Sequence, residues 1–280
     1  MRTVESKSEM WQACLASARP LGLVPTMGSL HPGHMALVQQ ARAECATVAA
    51  TIFLNPTQFG PNEDLDAYPR TVHADLSMLE QAGVDLVFIP TSREVYPEGF
   101  NTWVDVLGPA QGAEGLYRPR HFRGVATVVA KLFNITRPDR AYFGQKDGHQ
   151  TAVVLQLARD LDMMIEVVVV PTVREQNGLA HSSRNAYLNP EQRSAAAIIN
   201  RALSQAGDLW ASGERHAATI TNQVRQTVES EPLVSGIDYV SLTDLETMTE
   251  VERVESPTML AVAVHIGNTR LIDNIVLGNP

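Results

Sequence analysis

The feature that most constrains this chain is a rhythm. Short, uninterrupted apolar runs at 21–24, 47–53, 86–89, 140–143 and 166–170 alternate with longer stretches at 33–43, 71–82, 122–135 and 148–161. In the longer stretches the apolar residues recur three and four positions apart. A run that is apolar at every position is a strand buried on both faces, whereas three-and-four spacing gives a helix a single apolar stripe. Strand, helix, strand repeated in this way predicts an α/β fold built on a doubly wound parallel sheet. Ligands of such sheets bind beyond the carboxyl ends of the strands, so the segments after 24, 53, 143 and 170 are where chemistry is expected.

Beyond about 177 the pattern changes. Two helical stretches are expected from Pro190 and from Glu214, followed by strand-like runs at 237–242, 259–266 and 270–277. That succession predicts a smaller α+β C-terminal domain. Asn189-Pro190 suits a helix start, a capping side chain followed by a residue with helical φ already set, and Gly267-Asn268 suits a hairpin turn. With 280 residues, 44% of them hydrophobic, there is material for two unequal domains, expected at 1–176 and 177–280.

Charge narrows the partners. With 22 basic and 31 acidic residues, net −9, the chain is ill suited to track a nucleic-acid backbone, and no nucleic-acid partner is expected. Residues 1–10 mix charges without an apolar stretch, and no apolar run approaches the roughly 18 residues of a membrane span. A soluble, cytoplasmic protein with no membrane partner is therefore expected. Cys14 and Cys45 are the only cysteines and lack a ligand spacing, so neither a disulfide framework nor a zinc site is expected.

The strand ends carry the unusual residues. After the first run comes Pro25-Thr26-Met27-Gly28-Ser29-Leu30-His31-Pro32-Gly33-His34, a strand passing through glycines into a helix. A helix start presents unpaired N–H groups and the positive end of its dipole, which suits phosphate, and histidines three apart face one side. Asn55-Pro56-Thr57-Gln58-Phe59-Gly60 places two amides in a bounded loop, fit for a small polar substrate or simply for a turn. In Phe143-Gly144-Gln145-Lys146-Asp147-Gly148-His149-Gln150, Lys146 offers a point charge for phosphate, and Asp147 a helix cap or a ribose contact. In Gly178-Leu179-Ala180-His181-Ser182-Ser183-Arg184-Asn185, two hydroxyls and a guanidinium make a flexible polyphosphate clamp. Two further clusters are ambiguous. Arg118-Pro119-Arg120-His121-Phe122-Arg123 either steers anions or opens a helix, and Glu63-Asp64-Leu65-Asp66 reads as an acidic surface turn before it reads as a metal site.

Taken together, these motifs, with Asp64-Leu65-Asp66-x-Tyr68-Pro69-Arg70 and Asn268-Thr269-Arg270-Leu271-Ile272-Asp273, closely resemble the pantothenate synthetase (pantoate–β-alanine ligase) family over nearly the whole chain. The resemblance implies a Rossmann-like nucleotidyltransferase domain, a C-terminal domain acting as a lid, a homodimer, and Mg²⁺-ATP-dependent condensation of pantoate with β-alanine. It implies an ATP site of Met27, Gly28, Ser29, Leu30, His31, Pro32, Gly33, His34, Gly144, Gln145, Lys146, Asp147, Val173, His181, Ser182, Ser183 and Arg184. Within that set His34, His31, Lys146, Ser182, Ser183 and Arg184 would be catalytic, and His34 matches the family's proton-donor histidine. Gln58 would contact pantoate and β-alanine, and Gln150 pantoate; no protein ligand for Mg²⁺ is assigned. The chain departs from the family at His181, where methionine is usual, and at Arg120, where glycine is usual. Rival readings are another His-x-Gly-His enzyme that leaves its nucleotide on the product, or a binding module that senses nucleotide without turnover.

Overall fold

The computed structural model describes residues 1–278 as two compact units. The first comprises Met1–Val106, Arg118–Gly144 and Val153–Pro171. The second comprises Leu107–Tyr117, Gln145–Ala152 and the chain from Thr172 on.

The first unit holds a parallel sheet of six strands: β1 (Arg2–Val4), β2 (Leu21–Thr26), β3 (Thr47–Ile52), β4 (Leu86–Phe88), β5 (Arg140–Gly144) and β6 (Glu166–Val170), in the order β1-β4-β3-β2-β5-β6. β3 is buried at every position, which is why its sequence carries no alternation. Val24, Val48, Ala50 and Val87 from the sheet pack with Leu37, Val38 and Ala41 of helix Pro32–Glu44 and Leu79 of helix Val72–Gln81. Helix His121–Thr136 is buried along most of its length and packs with helix Lys7–Leu15. Chain order runs outward from β2 in both directions, through β3 and β4 on one side and β5 and β6 on the other. The switch point of this doubly wound Rossmann-like sheet therefore lies between β2 and β5, whose carboxyl ends are Thr26 and Gly144.

The second unit is built on an antiparallel sheet of β7 (Val234–Asp244), β8 (Thr258–Ile266) and β9 (Thr269–Leu277), covered by helices Ala197–Ala211 and Ala217–Glu229 through Ile199, Leu203, Val224, Leu260 and Val262. Ile266 pairs with Thr269 across the two-residue turn, with Gly267 at φ +57. The helical stretch expected from Pro190 is broken into Pro190–Ala195 and Ala197–Ala211. Asn189 closes a capping box with Gln192 at the start of the first piece. The stretch expected from Glu214 is helix Ala217–Glu229, because the Glu214 carboxylate instead receives the amides of Arg215 and His216 at 2.7 Å each.

Candidate active site

In the first unit β2 ends at Thr26, whose hydroxyl donates to the Thr51 carbonyl at 2.6 Å and accepts the Gly28 amide at 3.2 Å. Gly28 (φ +82) and Ser29 (φ +52) then turn the backbone through the left-handed region. The Ser29 and Leu30 amides both point to the buried carboxylate of Asp75, at 2.9 Å each, and Thr71 also donates to it at 3.0 Å. This carboxylate fixes the approach to the helix that begins at Pro32.

The histidine pair is the cap of that helix. His31 Nδ1 accepts the Gly33 amide at 3.2 Å, and His34 Nδ1 accepts the His31 amide at 3.3 Å, a reciprocal capping box made from two imidazoles. The rings lie 3.9 Å apart, tilted by 36°. A ring nitrogen that accepts carries no proton, so both neutral imidazoles hold theirs on Nε2. The pair thus presents two N–H donors beside the dipole-positive end of helix Pro32–Glu44.

Gln58 sits at the end of a short 3-10 turn, Pro56–Gln58, with its side chain buried. Its Oε1 accepts from Asn55 Nδ2 at 3.1 Å and its Nε2 donates to Met27 Sδ at 3.0 Å, which joins the second strand-end loop to the first. Asn55 Oδ1 in turn accepts from Tyr96 at 2.9 Å and from Thr57 Oγ1 at 2.9 Å. Below the turn, Gly124 has no room for a side chain: a Cβ there would overlap the Thr57 carbonyl and lie 2.7 Å from the Gln58 nitrogen. The basic cluster serves this loop. Arg118 pairs with Glu63 through two nitrogens, at 2.9 and 2.5 Å, and donates to the Gln58 carbonyl at 3.3 Å, while His121 Nδ1 contacts the same carbonyl at 2.9 Å. Burial alone would raise the Glu63 carboxyl, but Arg118 overrides it and holds it below its ordinary value. Arg120 precedes helix His121–Thr136 with φ −110, a conformation open to any residue, so the usual glycine is not required there.

In the second unit Gln145–Asp147 form a 3-10 turn, in which Lys146 Nζ reaches Asp147 Oδ1 at 3.0 Å. Gln150 lies half-buried on the first turn of helix Gly148–Asp160. Val173 accepts the His181 amide at 3.0 Å, and Arg174 bridges to Ala180, which makes a small hairpin leading into Ser182. Ser182 is the cap of the 3-10 helix Ser183–Tyr187, its hydroxyl accepting the Arg184 amide at 3.3 Å. The hydroxyls and guanidinium of that segment are therefore set on a capped turn. Beside it a cavity of about 490 Å³ is lined by Arg174, Glu175, Gln176, Asn177, His181 and Arg193. Among the described residues no group of three or more His, Cys, Asp or Glu side chains is placed to hold a metal ion, and Glu63 is committed to Arg118. Asp75, Tyr96 and Asn274 hold these segments and carried no motif that marked them, while Asp273 closes the Asn268–Asp273 motif but was given no role there.

A histidine-capped helix at the switch point of a doubly wound parallel sheet, with a lysine turn following β5, defines a Rossmann-like protein of the His-x-Gly-His type. The family model described as pantoate-beta-alanine ligase matches residues 1–276, and the chain belongs to that family. It is 53% identical over 278 residues to a pantothenate synthetase of Chloroflexus aurantiacus, covering 99% of this chain and 98% of that one. It is 51% identical over 277 residues to a pantothenate synthetase of Roseiflexus castenholzii, covering 99% of each. Among solved structures it is similar to pantothenate synthetase from Thermus thermophilus, with TM-score 0.93, 45% identity and coverage of 98% and 99%. It is also similar to the Francisella tularensis pantoate-beta-alanine ligase complexed with beta-gamma ATP and beta-alanine, with TM-score 0.80, 31% identity and coverage of 99% and 97%.

Proposed function

We propose that this chain is an AMP-forming ligase that condenses (R)-pantoate with β-alanine at the expense of ATP. The observation that carries the reading is the imidazole capping box, which fixes His31 and His34 through their Nδ1 atoms at a helix start at the switch point. Membership of the pantoate-beta-alanine ligase family, and a relative whose structure holds an ATP species and β-alanine, support the choice of substrates.

A carboxylate and an amine at neutral pH form a salt, so the carboxyl oxygen must first be made a leaving group. In this reading a pantoate carboxylate oxygen attacks the α-phosphorus of ATP, and the bond to pyrophosphate breaks. The β-alanine amine then attacks the acyl carbon of the pantoyl adenylate; AMP leaves with the bridging oxygen, and the amine loses a proton. His31, His34, Lys146, Ser182, Ser183 and Arg184 neutralise the charge that builds on the phosphates, each donor contributing on the order of 10²- to 10³-fold in rate. The 27–34 turn, Gly144 to Asp147, Val173 and His181 hold the rest of the nucleotide, Gln58 holds pantoate and β-alanine, and Gln150 holds pantoate. Mg²⁺, if bound with ATP, would add positive charge at the phosphates, and no protein ligand is assigned to it.

Residues 1–176 then serve as the nucleotide- and pantoate-binding domain and 177–280 as a lid that keeps water from the adenylate. We assign the protein to the cytoplasm; separately, no described helix is long and apolar enough to cross a membrane. Exposed Leu107, Leu116 and Tyr117 support a homodimer.

The test is formation of AMP and pyrophosphate from ATP and pantoate, with and without β-alanine. Oxygen-18 placed in the pantoate carboxylate should appear in AMP. Release of ADP and phosphate, or label kept wholly in the amide product, refutes the reading.

A further inference from the structure

Two adjacent residues on β9 reach both polar turns of the second unit. Asn274 is buried, and its side chain makes three hydrogen bonds to one of them: Nδ2 donates to the Gln145 carbonyl at 2.8 Å and the Lys146 carbonyl at 2.9 Å, while Oδ1 accepts from Gln145 Nε2 at 2.7 Å. Asp273, also buried, receives Arg174 through both carboxylate oxygens, at 2.5 and 3.1 Å, and its Oδ1 accepts the Asn274 amide at 2.8 Å. Arg174 also donates to the Gly178 carbonyl at 3.2 Å, inside the hairpin that leads to Ser182. Alternation along a strand lets one dipeptide serve two segments.

The residue types follow from the partners. Two carbonyls demand two donors on one atom, which an amide supplies and a carboxylate does not. The guanidinium demands a planar pair of acceptors, which Asp273 supplies. Gly148 completes the arrangement: a Cβ there would collide with Met259 Sδ and crowd Asn274 Nδ2 at 3.1 Å, so the bare backbone is what allows Asn274 to reach the turn.

We propose that Asn274 is a positioning residue for adenylation, setting the backbone that carries Lys146, and that with Asp273 it holds the Lys146 turn and the Ser182–Arg184 segment at one spacing. The inference rests on the reading of Lys146 as a phosphate contact. The Asn274 side-chain donors and acceptor are spent on Gln145 and Lys146, so it acts through that turn. A misplacement of that amine by about 1 Å costs on the order of a hundredfold.

The experiment is a double-mutant cycle read by pantoate-dependent ATP–pyrophosphate exchange, with Asn274→Asp, Lys146→Ala and the two combined. Asn274→Asp keeps the shape and turns two donors into a carboxylate facing two carbonyls. It is expected to lower kcat for exchange by about a hundredfold with KM for pantoate within about twofold, and to add nothing when Lys146 is already alanine. If that variant fails to fold, Asn274→Ala enters the same cycle. Additive losses, or exchange at the wild-type rate in a folded Asn274 variant, overturn the positioning role alone. A wild-type chain without any exchange overturns the functional reading and this inference with it.

Discussion

Asp75 Oδ2 accepts the amide hydrogen of Ser29 at 2.9 Å across 46 residues of sequence. The same carboxylate takes the Leu30 amide on its other oxygen, so a charged group on helix Val72–Gln81 stabilises a turn in which Ser29 occupies the left-handed region at φ +52. Asp75→Asn keeps the volume but puts an NH₂ against one of the two amides. Unfolding free energy should fall by about 2 kcal/mol, the cost of a buried donor left without its charged acceptor. KM for ATP should rise by about tenfold as the 27–31 turn loosens. Urea melts and exchange assays over a range of ATP check both; an unchanged KM would detach Asp75 from the site.

His31 accepts the Gly33 amide at Nδ1, and the proposed function gives it a second, separable task as a donor at Nε2. Asparagine reproduces the first only, since its Oδ1 is among the best helix caps. His31→Asn is expected to melt within about 0.5 kcal/mol of the wild type, yet to lose roughly 10²- to 10³-fold in exchange rate. His31→Ala should show the same kinetic loss with about 1 kcal/mol less stability. Equal activity in the asparagine variant would mean that the capping box is structural and the Nε2 donors idle.

Gly124 seats the 55–59 loop. Its α-carbon lies against the Thr57 carbonyl, and the Asn55 side chain donates to its own carbonyl at 3.2 Å, so the 55–59 loop is seated directly on helix His121–Thr136. Gly124→Ala should push the loop off that helix and move Gln58, at about 1–3 kcal/mol in stability. KM for pantoate and β-alanine should rise while KM for ATP holds, since the histidine cap rests on Asp75 and its own backbone. A uniform rise in all three constants would contradict that division.

What sequence reading recovered follows physical range. The buried strands were legible because burial on both faces leaves continuous apolar runs, and the turns bearing Met27 to His34, Gln58, Lys146 and Ser182 were legible because they follow such runs. β1 escaped because only Val4 of its three residues is buried, which leaves no run to detect. Helix Lys7–Leu15 buries just Met10, Ala13 and Cys14, too little to draw a stripe. The contacts that hold these turns were illegible for another reason: Tyr96 reaches Asn55 across 41 residues, Asn274 reaches Gln145 across 129, and Asp273, though inside a quoted motif, reaches Arg174 across 99. Nothing local marks a carboxylate or amide whose partner is a hundred residues away. The paired role of Arg118 with Glu63, each of which looked like half of a surface charge cluster, was hidden in the same way.

His149 adds a pH dependence whose sign can be worked out. It is buried next to Gln150, its ring edge-on to Tyr239 at 5.9 Å, with Nε2 lacking a protein partner, and burial pulls its pKa from 6.5 down to about 4, opposed weakly by the Glu114 carboxylate. Tyr239 donates to that carboxylate at 3.0 Å and Arg270 pairs with it at 2.8 Å, so Glu114 is largely spent on other partners. Between 6.5 and about 4 the unfolded chain binds a proton at His149 that the folded chain refuses. Stability from this residue is therefore full above 6.5, falls as the pH drops through that window, and levels off below about 4, where the folded state takes the proton too. The full drop is at most about 3–4 kcal/mol, at about 1.36 kcal/mol per unit. His149→Phe keeps an aromatic ring against Tyr239 and removes the titration. Urea melts of both chains from about pH 7 to about pH 4 should give curves that diverge on acidification, the variant gaining relative to the wild type; parallel curves would mean that the folded state accommodates the imidazolium after all.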